Sequence, residues 1–389
     1  MADTGAFAEL REAIPAIRHY RCLNSGGVAP TPQATLDLQQ SWYGREAVMT
    51  TTNHDLREIY NGEMAALRGE VAAMLNADSD EIALIRAVSE AVSFVAAALD
   101  LQRGDRVILT AAEHPSGYLA WLTLRNRLGL EIVAIEADGD DETFVRDVEA
   151  AMTPNTRAFC LSHVTTERGI VLPVDRVSAL ARERGVVTVV DAAQSFGARP
   201  TDMQQLGCDV YTFPAFKWSM GPYGVGAMYV RRDAQERLHP WGSGAGAVSQ
   251  SSFPPGEAHL HENAQRYEFG ARPYALLAAW RASIKTLSDL GLEAIQQRGA
   301  ELAAEARAVF SDFPGASIRT PEQGDARSGI FTVGLEGADG MALADHCLHA
   351  HRILCRAADG YSAVRLSFHA FNNTSDIEAA AQAFEDFPT

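Results

Sequence analysis

The 389-residue chain predicts an α/β fold, with a mostly parallel seven-stranded sheet in a large domain and a smaller α+β domain after it. Three observations carry this. Seven short apolar runs recur between residues 82 and 230, and stretches of helical periodicity separate most of them. Strands alternating with helices need crossover connections, which make a parallel sheet covered on both faces. Beyond a glycine-rich loop at 242–246 the pattern changes to long helical stretches and fewer apolar runs. A chain of this length buries one large core and a smaller one.

The strand-like runs are 82–86, 106–110, 131–136, 158–163, 186–190, 210–212 and 226–230. Each is short, apolar and bounded by turn or charged residues, as buried strands are. Helical periodicity fills 90–101, 117–128, 142–152 and 174–184. A long helix-compatible region follows at 274–310, then apolar runs at 329–335, 352–356 and 364–368, with helices near 341–351 and 375–387. In parallel sheets ligands bind outside the carboxyl ends of the strands. Ser89, His114, Thr165 and Asp191 all fall just past strand ends, so the suspect residues gather on one rim.

The formal charge of −17 makes nucleic acid and anionic membrane poor partners, while a small zwitterion remains compatible with a locally basic pocket. No apolar stretch reaches bilayer length, and residues 1–20 lack a signal-peptide core, so a cytoplasmic location is expected. The five cysteines, at 22, 160, 208, 347 and 355, are odd in number and spaced without close pairs. They read as buried thiols and fit neither a disulfide framework nor a zinc site. The 345–351 stretch scatters Asp, Cys and His around a helix, so no metal is expected. Neither glycine-rich loop follows a strand and opens a helix, which argues against a dinucleotide fingerprint.

The chemistry concentrates between 186 and 229. An apolar run ends in Asp191, and Lys217 follows between Phe216 and Trp218, trailed by Gly-Pro-Tyr-Gly. A carboxylate at a buried strand end and a lysine in an aromatic setting suit a cofactor carrying a pyridinium nitrogen and an aldehyde. The stretch Asp-Ala-Ala-Gln-Ser, Gly-Cys-Asp, Lys-Trp, Gly-Pro-x-Gly resembles the pyridoxal 5'-phosphate site of fold-type I enzymes, specifically the class V aminotransferase family with its cysteine desulfurases, epimerase-like proteins and C–S lyases. The resemblance implies that Lys217 carries the internal aldimine, Asp191 pairs the pyridine nitrogen and Gln194 bonds the ring hydroxyl.

Further roles come from the same resemblance. Val88 and Ser89 open a helix and match the family's phosphate turn. A helix N-terminus suits an anion there. His114, in Glu-His-Pro-Ser-Gly-Tyr-Leu-Ala-Trp, matches the residue stacked on the cofactor ring, and Thr166 in Ser-His-Val-Thr-Thr-Glu-Arg-Gly stands where the family often has Asn. Arg365, in Val-Arg-Leu-Ser, matches the arginine that forks the substrate α-carboxylate, with Asn24 and Ser25 expected in the same pocket. Pro214 and Phe216 replace the usual phosphate-binding Ser and His, and Ala271 replaces a Thr supplied by the partner subunit; Arg272 is expected to compensate by charge. The family organisation implies a homodimer with sites completed across the interface. It also implies an N-terminal segment (1–31) packed on the small domain (273–389), beside a large domain (32–272).

The implied machinery makes a Cα carbanion from an amino acid, with elimination, epimerisation and transamination as possible outcomes. Desulfurases of the family use a mobile loop cysteine, and neither 320–328 nor 357–363 contains one. Persulfide transfer is therefore disfavoured, and β-elimination of the C–S lyase type is the leading expectation. Epimerase, aminotransferase and a non-catalytic binding paralogue are the alternatives.

Overall fold

The computed structural model describes residues 5–388 except 139, 241, 253, 255 and 323–327. Its central sheet has seven strands: β1 Ile82–Ile85, β2 Arg106–Thr110, β3 Glu131–Ile135, β4 Thr156–Ser162, β5 Val187–Asp191, β6 Val210–Pro214 and β7 Gly226–Val230. Their order across the sheet is β1-β7-β6-β5-β4-β2-β3. β2 to β6 run parallel, and β7 alone is reversed, antiparallel to both β6 and β1. The reversal has a local cause: the 215–225 loop joining β6 to β7 is too short for a helical crossover.

Both faces are buried, and successive side chains serve different cores. Ile82, Leu84, Ile108 and Val190 join one apolar cluster; Ala83, Ile85, Leu109 and Val189 join the other. Helices Val88–Ala98 and Pro115–Leu128 cover one face, and His54–Leu75, Asp141–Ala151, Val174–Glu183 and Tyr274–Leu290 cover the opposite one.

Three features depart from the sequence expectation. Helices Gln33–Met49 and His54–Leu75 precede the sheet, the second capped by Asn53. The 274–310 region is two helices, Tyr274–Leu290 and Leu292–Ser311, broken at Gly291, whose φ of 80° ends the first. Strands Val248–Ser252 and Glu257–Leu260 form a separate hairpin.

The second sheet is antiparallel, in the order Ala316–Ile318, Ile330–Leu335, Ala363–Ser367, Arg356–Ala358. Helices Leu292–Ser311, Gly340–His351 and Thr374–Glu385 back it around Phe331, Leu343, Leu366 and Ile377. Two residues of the N-terminal segment, Arg21–Cys22, pair in parallel with Ile353–Leu354, and Asn24 bridges to Ser367. The side chain of Arg11 forks the buried Asp376 at 2.8 and 3.0 Å. These ties bring the 24–27 turn to the end of Ala363–Ser367, facing the rim of the large sheet. Among the described residues no helix is long and apolar enough to cross a membrane.

Candidate active site

Asp191 is the last residue of β5, at the carboxyl edge of the parallel strands. β-branched residues make that strand, and the chain then turns so that the Ala193 amide donates to Asp191 Oδ1 at 2.9 Å. The carboxylate is buried and fixed before any ligand arrives. Lys217 sits in the β6–β7 loop, which is closed by Ala215 N to Val225 O and Met220 N to Lys217 O, both 2.8 Å. Met220 there adopts a left-handed φ of 52°. Burial pushes the lysine down to about 8; the Asp191 carboxylate pulls it up, and Arg365 and Arg356 push it down again. These four charged groups share one electrostatic environment.

His114 caps the N-terminus of Pro115–Leu128. Its Nδ1 accepts the Ser116 amide at 3.2 Å and lies 2.7 Å from the Ser116 hydroxyl, which is 3.4 Å from Asp191 Oδ2. Burial, then the Lys217 charge, holds the imidazole below its ordinary value, so it is neutral at pH 7. Behind it lies Glu113, a second buried carboxyl. It accepts from the Ser162 amide at 2.7 Å, the Ser162 hydroxyl at 3.0 Å and the Thr110 hydroxyl. Burial pushes Glu113 up to about 8 against those donors. Ser162 is the register partner of Asp191, so this carboxyl braces the same rim.

The Val88–Ala98 helix points its N-terminus at that rim. Among the described residues no acceptor takes the amides of Val88 or Ser89, while the Glu90 carboxylate turns back onto the Arg86 amide at 2.6 Å. Arg272 stands beside the strand that leads into this helix, within electrostatic reach of Glu90 in its first turn. Its guanidinium donates to the Leu84 carbonyl and stands 3.5 Å from Glu268, a buried acid already held by Arg68. Within this chain that cation has these partners.

Arg365 is fully buried on the central strand of the small sheet. It donates to the Thr166 carbonyl and to Asn24 Oδ1, each at 3.0 Å. Its Nε has no partner, and among the described residues no carboxylate pairs with it. Burial, reinforced by Arg356, lowers this guanidinium to about 9. The hydroxyls of Ser25 and Ser367 are likewise buried without partners. Gly26 closes the cluster: a Cβ there would stand 2.8 Å from Gln194 Oε1, 2.9 Å from Ser367 Oγ and 3.2 Å from Arg365 Cζ. Gln194 donates to the Gly26 carbonyl at 2.9 Å and accepts the Trp218 indole at 2.8 Å, which leaves one amide N–H free. Thr166 enters through its carbonyl. The residue itself is buried.

Thus Lys217, Asp191, His114, Gln194, Thr166, Arg365, Asn24 and Ser25 lie around one rim, with Val88 and Ser89 at its helix end. The donor set fits pyridoxal phosphate: an amine depressed toward neutrality, a fixed buried carboxylate, unfilled amides at a helix N-terminus, and a buried cation lacking an anion. Sequence reasoning assigned no role to four neighbours. Arg356 pairs with Glu167 at 3.0 Å and is the register partner of Arg365; strand pairing, invisible in one sequence, places it. Glu167 and Glu113 lay inside quoted motifs without an assigned role, as did Ser116. Cys347 and Cys355 are free thiols, as expected, and neighbour each other at the small-domain core, where each shifts the other's acidity. Of the 320–328 stretch, residues 323–327 lie outside the described residues.

The family model of class-V aminotransferases matches residues 21–380. A cysteine desulfurase of Yersinia pseudotuberculosis is 31% identical, over 81% of this chain and 78% of its own. A probable cysteine desulfurase of Methanothermobacter thermautotrophicus is 28% identical over 97% of each chain. Among solved structures, the cysteine desulfurase of Thermococcus onnurineus superposes with a TM-score of 0.89 at 24% identity, covering 99% of both chains. The cystine C–S lyase C-DES, in complex with its product cysteine persulfide, gives 0.90 at 23% identity, covering 97% of this chain and 100% of that one. The two superpositions establish the fold.

Proposed function

The chain belongs to the class-V aminotransferase family, and on that premise we propose that it is a pyridoxal-phosphate-dependent C–S lyase that β-eliminates sulfur from cysteine or a cysteine-derived amino acid. The observation that carries the substrate class is the buried Arg365 guanidinium. Among the described residues it has no paired acid, and it shares its environment with a lysine of depressed basicity, as a site for an α-amino acid requires. The resemblance to desulfurases and to a cystine lyase supports sulfur as the leaving atom.

Lys217 would hold the cofactor aldehyde, Asp191 its ring nitrogen, the Val88 and Ser89 amides its phosphate, Gln194 and Thr166 its ring oxygen, and His114 its ring face. Bound pyridoxal phosphate supplies an aldehyde for the substrate amine and an electron sink for the charge left at Cα. Arg365 takes the substrate carboxylate, and Asn24 holds the guanidinium in plane for it. Lys217, as free amine, accepts the Cα proton. Arg356, with Glu167 as its resting partner, adds a second cationic contact at the same end. The buried Asp191 carboxyl lies opposite that positive cluster.

Elimination without protein-bound persulfide is supported by the thiols. Burial pushes Cys22 up to about 11 and Cys208 up to about 12, and raises Cys160 well above the ordinary range, so these three are not ready nucleophiles; Cys347 is lowered by Cys355 but is buried in the small-domain core. The reading is tested by incubating the purified protein with cystine, cysteine and S-substituted cysteines while following pyruvate, ammonia, reduced sulfur, keto acid and enantiomer together. Stoichiometric pyruvate and ammonia support it. Racemised or transaminated product without pyruvate overturns elimination. Loss of sulfur release with substitution of the cysteines would restore the desulfurase route. A dimer in sedimentation equilibrium is expected alongside.

A further inference from the structure

We propose that Ser116 is a positioning residue that fixes the tautomer of His114 and turns its hydroxyl hydrogen bond from His114 to Asp191 when the imidazole gains a proton. The inference rests on the functional reading above only for its catalytic meaning; the hydrogen-bond assignment stands on geometry.

The Ser116 amide can only donate, and it points at His114 Nδ1 from 3.2 Å. Nδ1 must therefore be the unprotonated nitrogen, and the neutral ring carries its proton on Nε2. The hydroxyl 2.7 Å away then donates to the same nitrogen. Its other acceptor, Asp191 Oδ2, lies at 3.4 Å, too far to compete while Nδ1 is a base. Neutral His114 thus presents Nε2–H as a donor and leaves the Asp191 carboxylate free of the serine.

Protonation of Nδ1 reverses the pattern. The new N–H donates to Ser116 Oγ, the hydroxyl hydrogen rotates away, and the nearby acceptor is Asp191 Oδ2. One proton is added to the ring, none leaves the serine, and the carboxylate gains a hydrogen bond. The charge of His114 is in this way linked to how strongly Asp191 is neutralised by its surroundings. Besides Asp191, the charged groups facing the imidazole are Lys217, Arg356 and Arg365, all of which resist its protonation. The Ser116 amide, a donor facing the same nitrogen, resists it too, and the Ser116 hydroxyl is the neutral group that eases it. A Ser116→Ala chain keeps the capping amide but offers a protonated Nδ1 no acceptor.

The test uses the purified holoenzyme labelled with ¹⁵N-histidine, with the His114 signals assigned by their loss in His114→Gln. At neutral pH the wild type is expected to show Nδ1 as a pyridine-type and Nε2 as a pyrrole-type nitrogen. Because a charge-assisted hydrogen bond exceeds a neutral one, Ser116→Ala should lower the His114 midpoint by about 0.7 unit. Ser116→Thr, which keeps the hydroxyl, should titrate like the wild type. A pyrrole-type Nδ1 in the wild type, or an unchanged midpoint in Ser116→Ala, overturns the proposal. A protein with no Lys217-dependent visible absorbance would defeat the functional reading while leaving the tautomer result intact, so the two failures are separable.

Discussion

Arg365→Lys isolates the reading of the substrate. The guanidinium has five N–H donors, of which one goes to Thr166 and one to Asn24, while Nε is unpartnered. Lysine keeps the charge but cannot fork two carboxylate oxygens. Losing one charge-assisted hydrogen bond of about 1.5–3 kcal/mol corresponds to roughly 10- to 150-fold in kcat/KM. The assay compares a cysteine-derived substrate with its carboxamide, both followed by pyruvate or pyruvamide release. The wild type is expected to favour the acid strongly. In Arg365→Lys the preference should shrink by that factor, with the carboxamide rate little changed. Equal loss on acid and amide would refute the argument, since it would mean that Arg365 supports the fold or the cofactor and not the carboxylate. Lysine also leaves the Thr166 carbonyl or Asn24 amide short of a donor, so thermal midpoints are measured beside the kinetics.

Three further outcomes follow from the site. Lys217→Ala should abolish the visible absorbance of the holoenzyme, and borohydride trapping of pyridoxal phosphate by cofactor-stripped wild type should rise with pH and level off above about 8, where the amine is free; trapping at another lysine, found by peptide mapping, would contradict the assignment. Glu113 is held up to about 8 by burial against an ordinary 4.5, so between those values the native chain keeps a proton that the unfolded chain has lost. Stability should therefore fall as pH rises through this window, by up to about 1.4 kcal/mol per unit, and Glu113→Gln should flatten that slope in denaturant titrations; an unaltered slope would show the carboxyl ionised in the native state. Gly26→Ala places a methyl group inside contact distance of Gln194, Ser367 and Arg365, so a loss of about 1–3 kcal/mol in stability is expected together with weaker substrate binding; full activity and an unchanged melting temperature would show that the turn yields freely.

The sequence by itself determined the elements whose signals are local. Apolar runs bounded by turns placed all seven strands of the large sheet, because a buried strand writes its burial into consecutive residues. The rim could also be read, since Asp191, His114 and the Ser89 turn sit where strands and helices meet. What only the tertiary structure decided is pairing across distance. Arg356 opposes Arg365 because Arg356–Ala358 and Ala363–Ser367 are neighbours, and Asn24 reaches that arginine because it bridges to Ser367 far along the chain. The ion pair of Arg272 with Glu268 and its bond to the Leu84 carbonyl likewise come from packing. The break at Gly291 divides one periodic stretch into two helices packed on different cores, and helical periodicity does not record which partner a face will meet. Local pattern records how much of a side chain is buried; which charge stands beside it is set by the packing of segments distant in sequence.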